Sequence, residues 1–279
     1  MPVTTSQQIA GYYSQFQNVE VTFNKEVTQA IHLNTRQVFI KCLGHQWPCI
    51  IYSTSLSEAK VIVKTGGSFN ETVRKANNLV SLRYCFAKRD KGDPLAFFVP
   101  ARISGYTAYD KQRKDLSFAT LSYTQRPPDD LIEIIGQLLE AGLNSRKRSE
   151  ERVTMTADTT AKLGLRAKEA TIEIAGVPRR CIVRDVSFSG AKVIVLGIAK
   201  YLVDKPALLH VELVDPQEKL QIPGTVVRFE PVEGRTDIAA FALRFDADKV
   251  PIAYKMRLSN LLKSIKSKHK SGRSNAQPE

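Results

Sequence analysis

The chain has 279 residues, enough for one large or two ordinary domains, and 43% of them are hydrophobic and 25% charged, as in soluble globular proteins. No apolar run approaches the roughly 18 residues of a membrane span, and residues 1–10 lack the basic and apolar segments of a secretory signal, so we expect neither a membrane-spanning nor a secreted protein. The net charge is +13, which favours partners with negative charge, such as nucleic acid, a nucleotide or an acidic protein surface.

Residues 1–125 are predicted to form one short helix followed by a series of β-strands. Ile9, Tyr12, Tyr13 and Phe16 have the spacing of one helix face, and polar residues at 4–6 precede them as caps. From Val19 onward the apolar period becomes two, and turn residues separate the strands. The predicted strands are 19–23, 38–40, 47–52, 61–63, 79–87, 94–106 and 116–124. Short strands at this spacing are typical of a β-sandwich or a small barrel.

A helix and a polar linker are predicted between the two halves of the chain. Pro127 and Pro128 end the strand pattern, and Asp129 or Asp130 caps a helix whose apolar residues share one face. This helix is expected to end near Asn144. The arginine-rich run at 145–152 follows it and indicates the domain boundary, so the predicted domains are 1–143 and 144–279.

The second half of the chain is again predicted to be rich in strands. These strands are 170–174, 179–186, 191–196, 207–214, 220–229 and 238–245. Pro251 lies near the start of a last helix, and residues 266–279 beyond it have little apolar surface to bury, so we expect disorder there. The chain therefore contains two β domains, and their similar strand counts leave open two copies of one topology.

Metal, redox and enzyme chemistry find little support in the sequence. The four cysteines form no CxxC pair and the four histidines lie far apart, so we expect no metal, no cofactor and reduced, buried thiols in the cytoplasm. Gly66-Gly67-Ser68 is too short for a phosphate-binding loop, and no Gly-x-Ser-x-Gly elbow occurs. The protein is therefore predicted not to be an enzyme.

Two arginines at the start of the second domain have the chemistry of a phosphate site. Arg148 and Arg152 offer forked donors that match phosphate oxygens, and the same forks match the O6 and N7 acceptors of guanine. If the segment is turned, both reach one ligand from one side, whereas an extended segment separates them by about 13 Å. Glu150 and Glu151 either lie in an ordinary solvated loop or hold the arginines away from the site.

The segment Asp185-Val186-Ser187-Phe188-Ser189-Gly190 supplies the complementary groups. The Asp185 carboxylate can accept the N1 and N2 hydrogens of guanine, or can instead orient an arginine. Ser187 falls on the same strand face by the two-residue period and adds a hydroxyl. Gly190 allows a ligand or a neighbouring strand to approach closely, or provides a positive φ. Together these residues predict a site for a guanine dinucleotide with two phosphates.

The arginine pair, this Asp-x-Ser-x-x-Gly segment and the later strand at 224–228 resemble the PilZ domain over residues 145–262. The resemblance implies a six-stranded β-barrel that binds the bacterial second messenger cyclic di-GMP. It assigns phosphate and guanine contacts to Arg148 and Arg152, and the guanine site to Asp185, Ser187 and Gly190. The additional phosphate contacts that we expect come from the residues just before the pair, Arg146 and Lys147. Whether one ligand or a stacked pair binds is left open.

Residues 18–125 contain neither motif, and by their architecture they resemble a PilZ-like N-terminal barrel without ligand residues. The expected fold is therefore mainly β, with two small barrels joined by a helix and an arginine-rich linker, and a C-terminal helix. The resemblance implies a cyclic di-GMP receptor, expected to be a monomer, that changes its interdomain arrangement and signals to a protein partner in motility or gene regulation. The flagellar motor is the family's precedent for that partner.

Direct binding of DNA or RNA is the alternative function. Residues 1–125 have a net charge of +7, with 15 basic and 8 acidic residues. The C-terminal segment adds a second basic region. Its basic residues in this interpretation are Lys263, Lys266, Lys268, Lys270 and Arg273. Such binding would fall steeply with salt if phosphate contacts dominate.

Overall fold

The structure is a computed structural model that describes residues 5–87, 92–110, 112–113, 115–196, 200–215 and 217–273, without the side chains of 200, 236 and 267–273. It divides into two units, Met1–Leu139 and Glu140–Glu279. Among the described residues, no helix combines the length and apolar character needed to cross a membrane. Within these described residues, no three His, Cys, Asp or Glu side chains lie close enough together to hold a metal ion.

The first unit is a closed six-stranded antiparallel barrel with short helices. Its strands pair in the closed order β2-β3-β4-β7-β6-β5, and β1 adds to β3. The elements in chain order are α1 (Ser6–Phe16), β1 (Val21–Thr22), α2 (Lys25–Ala30), β2 (Phe39–Cys42), β3 (His45–Thr54), β4 (Glu58–Lys64), α3 (Ser68–Lys75), β5 (Leu79–Phe86), β6 (Leu95–Ala108), β7 (Leu116–Tyr123) and α4 (Asp129–Lys147). The two units divide within α4.

The second unit is a barrel of the same kind, followed by a long helix. Its strands pair in the closed order β9-β10-β11-β14-β13-β12, and β8 adds to β10. The elements are β8 (Val153–Thr154), α5 (Ala157–Leu163), β9 (Glu169–Ile174), β10 (Val177–Val186), β11 (Gly190–Leu196), β12 (Pro206–Val214), β13 (Gln217–Val232), β14 (Arg235–Phe245) and α6 (Ile252–Arg273). The prediction of two β-barrels with a linking and a C-terminal helix is confirmed.

The two barrels are copies of one topology, which the sequence alone left open. The bulge of β3 between Ile51 and Ser53 corresponds to a bulge of β10 at 183–185. In each copy the residue after the short first strand donates its backbone N–H to the bulge carbonyl. These bonds are Phe23 to Tyr52 and Met155 to Arg184, both 2.8 Å. A constant offset of 132 positions relates the two segments, so each site residue has a counterpart in the first barrel.

Alternating burial explains why the second half forms strands. Along β11 the residues Ala191, Val193 and Val195 are buried while the residues between them are half-buried, as expected for one face packed inward. Leu258 and Leu261 of α6 belong to the same apolar cluster and are at most 2% exposed. The helix therefore packs on the barrel core through its apolar side.

Several predicted boundaries are wrong. The linking helix α4 continues three residues beyond Asn144, and basic residues in its last turn favour this extension because they interact well with the negative end of the helix dipole. Helix α6 runs through Arg273 although disorder was expected from 266, since its lysines and serines do not break a helix. Residues 274–279 lie outside the described chain. The strand predicted at 19–23 contains only Val21 and Thr22.

Three helices were not predicted, because each is too short for a clear 3.6-residue pattern. Helix α2 has six residues and is capped by the Asn24 side chain, which accepts from the Val27 N–H at 2.8 Å. Helix α5 has seven residues and a reciprocal Thr156–Thr159 capping box. The glycines at 66–67, interpreted as a turn, lead directly into α3.

The four cysteines, Cys42, Cys49, Cys85 and Cys181, are all buried and free. Burial raises the pKa of the Cys49 and Cys181 thiols to about 12, so both stay protonated at neutral pH. This agrees with the prediction of reduced, buried thiols.

Candidate functional site

The segment that carries the two arginines is turned rather than extended. Helix α4 ends at Lys147, and the Arg148 N–H still donates to the Asn144 carbonyl at 2.9 Å. The Glu151 N–H then donates to the Arg148 carbonyl at 3.1 Å. Arg148 is half-buried beside this turn, whereas Lys147 and its neighbour Arg146 are exposed. Basic side chains therefore concentrate where α4 ends and the second barrel begins.

Arg152 contacts Asp185 through a direct ion pair. Strand β8 pairs with the end of β10, with Thr154 opposite Asp185, and this register brings the residue before β8 beside the carboxylate. The Arg152 Nη1 atom donates to Asp185 Oδ1 at 2.6 Å. The Asp185 side chain is 18% exposed and that of Arg152 43%. Of the two roles open for Asp185, the structure shows the one in which it orients an arginine.

Ser187 and Gly190 close the turn between β10 and β11. The Ser187 N–H donates to the Gly190 carbonyl at 2.8 Å, and the Gly190 N–H donates to the Ser187 hydroxyl at 3.1 Å. Ser187 is fully buried and lies beyond the last residue of β10. It therefore does not extend the strand face of Asp185 as the two-residue period predicted. Its hydroxyl holds the backbone that follows the carboxylate.

Gly190 is required by a close approach of backbone. A Cβ atom at this position would lie 2.1 Å from the Leu243 carbonyl oxygen of β14. Gly190 is not among the residues with positive φ. Of the explanations open for this glycine, the structure shows the approach of a neighbouring strand.

Tyr254 on α6 supports the same turn, a role that was not predicted from the sequence. Its hydroxyl donates to the Ser187 carbonyl oxygen at 2.8 Å, and its ring packs edge-on against Phe245 with centroids 6.0 Å apart. Burial raises the pKa of Tyr254, and the positive charge of Arg152 opposes this shift. The sequence holds one indication of this hydrogen bond: Tyr254 is an aromatic residue with a hydroxyl group at an apolar position of the helix.

Helix α6 also contacts the end of α4 and the arginine turn. The Asn144 Nδ2 atom donates to the Ser259 hydroxyl at 2.7 Å, and both residues are buried. Lys266 pairs with Glu151 at 3.2 Å, and Lys263 forms an ion pair with Glu140. Glu151 therefore bonds α6 rather than either arginine.

A row of side chains continues from Asp185 across the outer face of the second barrel. Lys192 on β11 is the register partner of Asp185, and Ala242 on β14 follows Lys192. Next comes Arg228 on β13, which pairs with Glu230 at 2.6 Å. The hydrogen bond from Lys192 lowers the pKa of the Glu230 carboxyl. Lys192 could not be assigned to this row from the sequence, because only the strand register places it beside Asp185.

The first barrel has different chemistry at the equivalent positions. Glu20 stands where the second barrel has Arg152, and Ser53 stands where it has Asp185, since both pairs flank the same bulge and short strand. The Ser53 hydroxyl donates to the Glu20 carboxylate. A carboxylate therefore replaces a guanidinium at the centre of the equivalent surface.

Comparison with known protein families matches both units. The PilZN3 domain matches residues 7–142 and the PilZ domain matches residues 146–263. A protein of Treponema denticola described as a cyclic di-GMP binding protein is 42% identical over 266 residues, which are 95% of this chain and 85% of that protein.

Two of the similar solved structures are complexes with c-di-GMP. Borreliella burgdorferi PlzA in complex with c-di-GMP is 22% identical, with 92% of this chain and 98% of that chain covered and a TM-score of 0.42. Escherichia coli YcgR in complex with c-di-GMP is 9% identical, with 97% and 96% covered and a TM-score of 0.31.

Proposed function

Because the chain belongs to the PilZ family, with a PilZN3 domain before its PilZ domain, we propose that it is a cyclic di-GMP receptor. The 42% identical relative from Treponema denticola is described as binding this ligand. The observation that carries the proposal is the Arg152–Asp185 ion pair beside the Arg148 turn. It joins forked cationic donors to a carboxylate acceptor at one edge of the barrel.

The ligand has two guanines and two phosphates, and the proposed residues match these groups. A guanidinium has five N–H donors, and the bond to Asp185 uses one nitrogen, so Arg152 keeps donors for phosphate or guanine. Asp185 orients Arg152 through Oδ1, and in this proposal its second oxygen, Oδ2, accepts from the Watson–Crick edge of guanine, while Ser187 and Gly190 hold the turn that positions it. Arg146 and Lys147 add positive charge at the rim.

A few such contacts are enough for tight binding. Each charge-assisted hydrogen bond contributes about 1.5–3 kcal/mol. After ordering costs, a handful of them corresponds to a submicromolar dissociation constant, or about −8 kcal/mol or better. No step of this proposal requires catalysis, a cofactor or a metal.

We further propose that the ligand acts on the arrangement of the two domains. Binding reorders the turn at 148–151, which continues α4 and contacts α6 through Glu151 and Lys266. Since α4 contains the division between the two units, a change at its end is transmitted to their relative orientation. The rearrangement then presents a surface to a cytoplasmic partner in motility or gene regulation.

Calorimetric titration with cyclic di-GMP tests the site. Arg148→Ala and Arg152→Ala are each expected to abolish measurable binding, with unchanged circular dichroism. Arg180→Ala is the matched control, because this exposed arginine lies on β10 five residues from Asp185, about 17 Å away. GTP and cyclic AMP serve as ligand controls. Parental affinity in either arginine variant would show that the site is elsewhere.

Interdomain change is tested separately by small-angle scattering with and without cyclic di-GMP. We expect a ligand-dependent change in the radius of gyration of the parent and none in Arg152→Ala. An identical scattering curve for the saturated and free parent would rule out the rearrangement while leaving the binding site intact.

A further inference from the structure

A groove on the outer face of the second barrel takes no part in the proposed function. Its volume is about 910 Å³, within the range of small-molecule sites, and residues of all six barrel strands line it. At its centre Arg180 on β10 faces Thr171 on β9, and Ile182 faces Glu169. Arg180 lies five residues from Asp185, about 17 Å along the strand, so this outer groove is separate from the proposed cyclic di-GMP site.

The outer groove exists because smaller side chains replace aromatic rings of the first barrel. One row across β2, β5 and β6 of the first barrel consists of Phe39, Arg83 and Phe98. The equivalent row across β9, β12 and β13 consists of Thr171, His210 and Gln221. The two rings of the first row pack with centroids 6.0 Å apart, whereas a threonine and a glutamine do not fill this volume. The difference in side chains therefore leaves this face of the second barrel open.

One end of the outer groove is aliphatic. Its apolar side chains are Ile182, Ile194, Leu196 and Ile238. Ile182 is 46% and Leu196 67% exposed, so apolar surface faces the solvent here. Ala240 is the register partner of Ile194, and it stands where the first barrel has Phe118. A methyl group thus replaces a ring at this end as well, and the aliphatic surface can receive an apolar group of a ligand.

Two charged side chains beside the aliphatic end have no ion-pair partner. Within the described part of the chain, no carboxylate lies within 4 Å of the Arg180 guanidinium, and no basic group lies within 4 Å of the Glu169 carboxylate. The other carboxylates of the groove have basic neighbours, which are Arg166 for Glu212 at 3.0 Å and His210 for Glu173 at 3.9 Å. Arg180 and Glu169 are diagonal neighbours on adjacent strands, about 7–8 Å apart. The groove therefore offers one free cation and one free carboxylate next to apolar surface.

We infer that the outer groove binds a free α-amino acid with an aliphatic side chain. The ligand carboxylate accepts two hydrogen bonds from the Arg180 guanidinium, and the ligand ammonium group donates to the Glu169 carboxylate. The ligand side chain lies on Ile182 and the aliphatic residues beside it, where burial of apolar surface adds affinity. The groove extends beyond these residues, so its size admits any aliphatic side chain.

Calorimetric titration of the full-length protein with L-leucine, without cyclic di-GMP, tests this binding. Three further probes each lack one group: leucinamide lacks the carboxylate, 4-methylpentanoate lacks the ammonium group, and glycine lacks the aliphatic side chain. Each probe should bind about tenfold more weakly than leucine, or worse, because one contact is lost. A probe without either charge that binds as tightly as leucine would overturn the inference, and so would the absence of leucine binding at millimolar concentrations.

Variants of the two charged residues locate the site. Arg180→Gln and Glu169→Gln should each weaken leucine binding about tenfold or more and leave cyclic di-GMP binding unchanged. Arg184→Gln, an exposed arginine of β10 outside the groove, is the matched control and should bind leucine as the parent does. Thermal unfolding by circular dichroism verifies that each variant is folded. Parental leucine affinity in both groove variants, or loss of leucine binding in Arg152→Ala, would place the ligand elsewhere and overturn the inference.

Discussion

Arg152 bonds Asp185 with one nitrogen at 2.6 Å, and its side chain is 43% exposed. A partly exposed ion pair contributes only about 0–1 kcal/mol to stability, because solvent screens the attraction and two side chains lose freedom. The pair therefore matters for orientation rather than for stability. The Asp185 carboxylate holds the planar Arg152 guanidinium at the barrel edge, where it can donate to a phosphate or a guanine.

This difference between charge and fork is testable with Arg152→Lys. The lysine keeps the positive charge but has no planar fork, so we expect cyclic di-GMP to bind about tenfold more weakly or worse. The free energy of unfolding should change by less than about 1 kcal/mol. Calorimetry and urea denaturation measure the two quantities. An affinity within twofold of the parent would mean that charge alone suffices.

The turn between β10 and β11 is the element that connects the site to the rest of the second unit. Ser187 bonds Gly190 inside it, and Tyr254 of α6 donates to its backbone at 2.8 Å. Gly190 also lets β11 lie against the Leu243 carbonyl. A change in this turn therefore alters both strand packing and the position of Asp185.

Two glycine-to-alanine substitutions in the second unit are expected to change the free energy of unfolding in opposite directions. Gly190→Ala places a Cβ 2.1 Å from the Leu243 oxygen and should lower the free energy of unfolding by about 1–3 kcal/mol. Gly142→Ala lies in helix α4 with no atom within 4 Å of its Cβ, and should raise the same quantity by up to about 1 kcal/mol. Urea unfolding measures both. A neutral Gly190→Ala would contradict the close approach of β14.

The whole molecule contains one barrel topology twice, and the two copies differ in surface chemistry. At the equivalent positions the second barrel has Arg152 and Asp185, whereas the first has Glu20 and Ser53. The same backbone thus holds an arginine–aspartate pair at this edge in one unit and a glutamate–serine pair in the other. The two barrels therefore differ in the side chains at equivalent register positions, since their strand order and their bulge are the same.

This repetition predicts the outcome of a transplant. The double variant Arg152→Glu with Asp185→Ser installs the first barrel's pair in the second barrel. Because Ser53 and Glu20 bond each other at the same positions, the variant should unfold within a few degrees of the parent. It should not bind cyclic di-GMP, since a carboxylate faces the phosphates. Retained binding, measured by calorimetry with thermal unfolding as the folding control, would contradict the assigned centre.

Most strands were predictable, because alternation of apolar residues is local in the sequence. The alternation of apolar residues in β11 and the β-branched residues of β10 are visible without any tertiary information. Helices α2 and α5 were not predicted, since six or seven residues carry too little periodicity. The prediction of disorder from residue 266 was wrong, because α6 continues through Arg273. Low apolar content indicates disorder only where no packed helix precedes the segment, and here the packed part of α6 precedes it.

The sequence by itself determined the two β domains, the basic surface and the residue types of the candidate site, since these depend on local pattern and motif order. Only the tertiary structure decided that Arg152 pairs with Asp185, that Lys192 lies beside them, and that the Ser187 hydroxyl serves the turn. Each of these relations joins residues through strand register and a bulge. A bulge inserts one residue and shifts every later side chain, and no two-residue period can reveal it.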